Sequence, residues 1–291
     1  MKQVIVVVPV YKKTLNQSEK VSFKQGLTVL SKHDIAIVCS EHLDIDFYLE
    51  FAHECSKQII VERFEDQFFT DIPGYNKLLL SVNFYKRFSA YKRMLIYQTD
   101  AFVFKDELQY WCSKRYDYIG APWFEGFHLK TGGAQPIGAG NGGVSLRNVS
   151  KFKNILSKRD RITAFLQTIY FNKIFKKIPN NYLGKVFKIL FGLRDVSILQ
   201  LTSLEESIKT FQNPEMNEDY FWAVIAPHYF KNFKVANYSE AMYFSFENHP
   251  RELYKMTNNQ LPFGCHAWEK YDPEFWSDFI YSSLEARKIQ S

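Results

Sequence analysis

The first hundred residues alternate short apolar runs with longer amphipathic stretches. That alternation restricts the chain to folds built from β-α-β units around a mostly parallel sheet. Val4–Val8, Ile35–Cys39, Ile59–Val61 and Met94–Tyr97 read as strands. Between them Ser18–Ser31, Phe47–Cys55 and Tyr75–Ser89 read as helices, the last with Leu78, Leu79, Val82 and Tyr85 at helical spacing. Open sheets of this type bind ligands beyond the carboxyl ends of their strands, so Pro9-Val10-Tyr11, Ser40-Glu41-His42 and Gln98-Thr99-Asp100 are expected to converge on one cleft. No G-x-G-x-x-G follows the first strand and no Walker loop occurs, which argues against dinucleotide and P-loop chemistry.

With 291 residues, 46% apolar and 17% aromatic, the chain can bury one large core, and 23% charged residues argue against a disordered protein. One domain with an embellishment is expected: residues 1–150 and 206–291 form its body, and residues 151–205 a helical, basic and aromatic insertion. The Val4–Val10 run is too short for a signal peptide and lacks a small-residue cleavage site. No stretch approaches the roughly 18 apolar residues of a membrane span. Cys39, Cys55, Cys112 and Cys265 are widely separated, with no C-x-x-C pair, and read as reduced thiols. A cytoplasmic location is the resulting expectation.

Charge is concentrated. Residues 151–194 hold eleven Lys and Arg against one acid, Asp160, a net +10 that leaves −4 for the rest of a chain of net +6. A confined basic segment differs from the broad basic face that duplex binding favours, so nucleic acid is not an expected partner. Phe171, Ile174, Phe175, Phe187, Leu190 and Phe191 are interleaved there with Lys173, Lys176, Lys177, Lys185 and Lys188. That pattern resembles interfacial helices that meet an anionic membrane surface, although a solvated helical pair packed on the body gives the same composition.

Six glycines between 132 and 143 permit close backbone approach to a ligand. Asp100 follows the Met94–Tyr97 run, and a carboxylate at a strand end can hold a divalent cation against a diphosphate or simply bond a turn. Glu218-Asp219 open an apolar stretch and could supply a general base or favour a helix N-terminus. His266, in Gly264-Cys265-His266-Ala267-Trp268, could ligate a transition metal or be a satisfied core residue.

The ordered set resembles the common core of GT-A type glycosyltransferases. It comprises Val7-Val8-Pro9-Val10-Tyr11 after the first strand, a D-x-D-like Gln98-Thr99-Asp100, the glycine loop Gly140-Asn141-Gly142-Gly143, an x-E-D motif at Asn217-Glu218-Asp219 and the late His266. More narrowly, the chain is similar to a little-characterised bacterial family associated with surface-polysaccharide synthesis. The resemblance covers about residues 3–150 and 212–276, and order and spacing carry its specificity.

The resemblance implies a Rossmann-like GT-A fold and transfer of a sugar from a nucleotide donor, UDP by family analogy, to a glycan or lipid-linked saccharide. Asp100 would bind a manganese or magnesium ion bridging the donor diphosphate, with His266 as its late ligand. Asp219 would be the base that deprotonates an acceptor hydroxyl, giving inversion, and Glu218 would orient the substrates. Gly142-Gly143 would admit the donor sugar or acceptor. Pro9, Tyr11, Glu41 and Lys77 would lie on the nucleotide side.

One position departs from the pattern. Gln98 puts a neutral amide where the D-x-D motif has its first acid, which lowers metal affinity and gives Lys or Arg a larger part in stabilising the leaving group. It also keeps open a carbohydrate-binding protein of the same fold without catalysis, bound at the membrane. A sugar nucleotidyltransferase shares a similar sheet but calls for a Gly-rich basic stretch after the first strand, which Pro9-Val10-Tyr11 does not supply.

Overall fold

The computed structural model describes residues 1–124, 136–171, 217–230 and 232–288. In chain order the strands are β1 (Lys2–Pro9), β2 (Asp34–Ser40), β3 (Ile60–Phe64), β4 (Tyr91–Tyr97), β5 (Phe102–Val103), β6 (Tyr118–Ile119), β7 (Pro122–Phe124), β8 (Pro136–Ala139), β9 (Val144–Asn148), β10 (Ser245–Phe246) and β11 (Gly264–Cys265). Helices α1 (Gln17–Val29), α2 (Asp46–Glu54), α3 (Ile72–Leu79), α4 (Val82–Arg87), α5 (Leu108–Ser113) and α6 (Val149–Phe171) are set among them.

Six strands form the main sheet in the order β3-β2-β1-β4-β9-β6. The first four pair in parallel, and β9 runs antiparallel between β4 and β6. The expected α/β class with a mostly parallel, Rossmann-like sheet is borne out. A parallel strand covered on both faces reads as an unbroken apolar run, and β1 is buried from Val4 to Pro9. Ile5 and Val7 pack with Leu78, Leu79, Phe84, Phe152 and Trp222 on one face. Val4, Val6 and Val8 pack with Phe23, Leu27, Tyr48 and Ala52 of α1 and α2 on the other.

A second, three-stranded sheet, β10-β11-β5, flanks the first. It shares an aromatic cluster with the helix Pro273–Lys288 through Phe102, Phe246, Trp268 and Trp276. Because β5 follows β4 after only four residues, this sheet brings β11 beside the carboxyl end of β4. Gly26 on α1 helps set that end: a Cβ there would lie 2.7 Å from Cε1 of Tyr97. The Tyr97 hydroxyl in turn bonds the carbonyls of Ser22 at 2.8 Å and Ala101 at 3.0 Å, tying the turn after β4 to α1.

Two local expectations change. The single helix expected over Tyr75–Ser89 is two, α3 and α4, because Ser81 Oγ accepts the Phe84 N–H at 3.1 Å and starts a new helix. Near the end of the sheet, Val235 adds only an isolated parallel bridge to Tyr118. The helical pattern placed from Lys151 begins earlier, at Val149, and its first turns carry Phe152, Ile155 and Leu156 into the core. Residues 172–194 of the basic segment lie outside the described residues.

All four cysteines are free thiols, three of them buried. Among the described residues no helix is long and apolar enough to cross a membrane.

Candidate active site

Three chain segments meet where β4 ends. Antiparallel pairing sets Val144 opposite Tyr97, so Gly142-Gly143 arrive beside Gln98, whose N–H donates to the Gly143 carbonyl at 3.0 Å. His266 follows β11 directly, with its N–H on the Phe246 carbonyl at 2.9 Å. Its Nε2 then lies 2.9 Å from Gln98 Oε1 and 3.2 Å from Asp100 Oδ1. Residues 98, 100, 143 and 266, distant in sequence, form one cluster.

Glycine is required at both loop positions by close approach. A Cβ on Gly143 would fall 2.1 Å from His266 Nε2, and one on Gly142 would fall 2.4 Å from Glu218 Oε1. The Gly142 Cβ position is also 3.5 Å from Asp219 Cβ. The glycine turn therefore carries the Asp100–His266 pair on one side and Glu218-Asp219 on the other.

The acidic dipeptide divides its work. Glu218 is buried and paired with Arg147, itself fully buried, which also bonds Tyr85 Oη at 3.1 Å and Ser145 Oγ at 2.9 Å. The Glu218 N–H donates to Asn76 Oδ1 at 3.2 Å, so α3 holds the entry to the short helix Glu218–Tyr220. Helix geometry changes at once: Phe221–Ile225 form a π-helical turn, a feature common near functional sites. Asp219 is half-buried and has no cationic partner of its own among the described residues. Burial first, and then the Glu218 charge, raise its pKa to about 7.

Electrostatics around His266 run the other way. Burial opposes a charge on the ring, but the bonds and charges of Asp100 and Glu247 outweigh it and raise its pKa to about 10. Burial would likewise raise Asp100, yet His266, with a smaller contribution from Lys270, holds its carboxyl below the ordinary value.

A cavity of about 400 Å³ opens beside the cluster at the carboxyl ends of β1 and β4. Pro9, Tyr11, Gln98, Thr99 and Asp100 line it from the strand ends, and Phe68, Phe69, Ile72 and Tyr75 wall it from the segment leading into α3. Tyr11 is 63% exposed and Ile72 is 72% exposed at this cavity. Glu41 and Lys77 are both exposed and stand apart from the lining. Pro9, Tyr11, Gln98 and Asp100 line the cavity, and Gly142, Gly143, Glu218, Asp219 and His266 gather at the glycine turn beside it, whereas Ser40 and His42, expected at the same cleft, are not part of its lining.

Sequence reasoning missed Glu247, Asn141, Arg147, Tyr75 and the Phe68–Ile72 wall. Only Asn141 lay inside a recognised motif, and there as filler between glycines. Lys270, four residues after His266, was also missed.

His266 Nε2 faces two oxygens, Gln98 Oε1 and Asp100 Oδ1, a convergence that a cation satisfies, and oxygen with one imidazole nitrogen suits manganese. His266 Nδ1 is engaged by Glu247 at 3.1 Å, as a ligating histidine's second nitrogen usually is. Among the described residues no three His, Cys, Asp or Glu side chains form a metal cluster by themselves. The residues fit an ion that shares its coordination with the oxygens of a bound ligand.

A family model with the description "Protein of unknown function (DUF5672)" matches residues 58–266. The chain belongs to this family. In this DUF5672 member the matched stretch holds Gln98, Asp100, the glycine turn, Glu218, Asp219, Glu247 and His266, while β1 with Pro9 and Tyr11 precedes it. No curated protein matches the chain. Solved structures similar to it include an active-site mutant of LgtC, at 12% identity over 97% of this chain and 95% of that one, with a TM-score of 0.49. A glycosyltransferase involved in glycosylation of the major capsid of PBCV-1 is similar at 9% identity, 96% and 99% coverage and a TM-score of 0.43. The glycosyltransferase GlyE of Streptococcus pneumoniae TIGR4 is similar at 12% identity, 96% and 60% coverage and a TM-score of 0.43.

Proposed function

We propose that this chain is a GT-A type glycosyltransferase that moves a sugar from a nucleotide donor, a UDP-sugar, to a hydroxyl of a glycan or lipid-linked saccharide. The observation that carries the reading is the glycine turn with Asp219, a carboxylate of raised pKa without a cationic partner among the described residues, on one side and the Asp100–His266 cluster on the other.

The nucleoside diphosphate occupies the cavity, its planar base against the aromatic wall of Phe68, Phe69, Tyr75 and Tyr11. Its diphosphate points toward Asp100 and His266. Asp100, His266 and the Gln98 amide oxygen would hold a manganese or magnesium ion. Such an ion, when bound, neutralises charge developing on the departing diphosphate oxygen. Lys270, whose charge already acts on Asp100, supplies positive charge to the same region from the chain itself.

Asp219 accepts the acceptor hydroxyl's proton as that oxygen attacks the anomeric carbon from the face opposite the leaving group. The C–O bond to phosphate breaks in the same step, its electron pair leaving with the diphosphate, and configuration inverts. Glu218 serves this base indirectly, by fixing the helix start on Arg147. The basic segment 151–194 would bring the enzyme to the anionic inner face of the membrane, where a lipid-linked acceptor is found.

Nucleotide release from a panel of UDP-, GDP-, CMP- and dTDP-sugars, with and without manganese, tests this function. Release from one donor that is lost in Asp100→Ala and Asp219→Asn is the expected result. The absence of both release and a thermal shift with every donor would overturn the transferase and favour the non-catalytic carbohydrate binder.

A further inference from the structure

Glu247 joins the two sides of the site. Parallel pairing of β10 with β11 sets Phe246 beside Cys265, and the next residue of each strand, Glu247 and His266, become neighbours. The Glu247 side chain is buried, and both of its oxygens are engaged. Oε1 bonds His266 Nδ1 at 3.1 Å, and Oε2 accepts from Asn141 Nδ2. Asn141 Oδ1 accepts the Gly143 N–H at 2.9 Å, the Gly143 carbonyl accepts the Gln98 N–H at 3.0 Å, and Gln98 Oε1 meets His266 Nε2 at 2.9 Å. These bonds close a ring through residues 98, 143, 141, 247 and 266.

Burying a carboxylate is costly unless every oxygen is satisfied. Among the described residues its ion-pair partner is His266, with no Lys or Arg in contact. We propose that Glu247 is a positioning residue, whose carboxylate locks His266 and the glycine turn into one rigid unit. What is positioned follows from the transferase reading: the leaving-group side at His266 and the substrate-facing turn at Gly142-Gly143. The linkage itself stands independently of it.

A carboxylate is the group that this place demands, because it must accept from His266 Nδ1–H and from Asn141 Nδ2–H together. Glutamine offers one oxygen and one NH2. Its NH2 would face the Asn141 NH2, and an Asn141 amide that rotates to relieve this withdraws its oxygen from the Gly143 N–H. Aspartate at 141 would restore an acceptor for the glutamine NH2 and keep one for Gly143.

The test compares Glu247→Gln, the double variant N141D/E247Q and Glu247→Ala, all in the full chain. Turnover is read by nucleotide release, and the His266 ring by the N–H resonances of 15N-histidine-labelled protein, assigned through His266→Gln. Glu247→Gln is expected to lose about 10–100-fold in kcat with KM changed by no more than about twofold. The double variant should recover at least about threefold of that loss. A protected His266 Nδ1–H resonance should be present in wild type and absent from Glu247→Ala. Wild-type turnover in Glu247→Gln, or a double variant no better than the single, overturns the proposal.

If wild type turns over no donor, turnover gives no comparison and the resonance decides alone: its loss in Glu247→Ala supports the link, and its persistence overturns it. If Glu247→Ala does not fold, Asn141→Ala cuts the ring at its other joint. A shifted His266 resonance then supports the link and an unmoved one overturns it.

Discussion

Glu218 and Arg147 form a buried two-pronged ion pair, with Nη2 2.8 Å from Oε1 and Nη1 3.0 Å from Oε2. Both carboxylate oxygens are thereby committed, and the guanidinium is held far above any titration by the Glu218 charge in spite of its burial. Two acidic neighbours in sequence thus carry different duties, Glu218 in the fold and Asp219 facing the turn. Removing one partner strands the other as an uncompensated buried charge. Glu218→Gln or Arg147→Met should therefore each cost about 3–5 kcal/mol of stability, and replacing both with apolar groups should cost less than the sum of the singles. Urea unfolding midpoints of the four proteins measure this, and an unchanged midpoint in Glu218→Gln would contradict the buried pair.

Asp219 predicts opposite pH effects on rate and on stability. As the proposed base it must be ionised, so kcat should rise with pH and level off above about 7. Asp219→Asn should lose about 10²–10⁴-fold in kcat and the corresponding limb of the pH profile. In the fold this carboxyl keeps its proton up to about 7, whereas the ordinary value is 3.8. Between those values the folded state binds more protons than the unfolded one, so this group's contribution favours folding at low pH and is withdrawn as pH rises toward 7. Melting temperature against pH, wild type beside Asp219→Asn, should show that decline in wild type only.

Gly143 and Gly138 provide a matched pair. An alanine Cβ at 143 would lie 2.1 Å from His266 Nε2, whereas one at 138 would meet nothing within 4 Å among the described residues. Gly143→Ala should displace the imidazole and reduce turnover by at least about 10-fold, with Gly138→Ala near wild type. Equal activity in the two alanine variants would show that the ring does not need to rest on the turn.

Much of the site is legible in sequence because it is built from short segments at strand ends, where residue type and position along the chain coincide with function. Gln98, Asp100, Gly142, Gly143, Asp219 and His266 belong to that class. Glu247 does not, since Phe244-Ser245-Phe246-Glu247-Asn248 carries no motif. Its meaning appears only when β10 lies parallel to β11 and puts it against His266. Arg147 reads as an ordinary residue of a strand, and its complete burial depends on Glu218, 71 residues away. The break between α3 and α4 was hidden by apolar spacing that continues in register across Ser81, while the serine's cap decides the outcome locally. Glu41 and Lys77 were placed by their nearness to strand or helix ends, which does not specify the direction a side chain takes.

The basic segment leads to a prediction about where the chain resides. Lys173, Lys176 and Lys177 follow one another among Phe171, Ile174 and Phe175. Each lysine near an anionic surface contributes about 1 kcal/mol of attraction, so removing three should weaken partitioning by roughly two orders of magnitude. The triple variant with glutamate at these positions should fail to float with vesicles containing anionic lipid, whereas wild type floats with them and is released by high salt. Vesicles of neutral lipid separate the charge effect from the aromatic one: wild type bound equally to both compositions would mean that the phenylalanines dominate. Wild type that floats with neither composition would remove the membrane from the proposed function and leave a freely diffusing glycan as the acceptor.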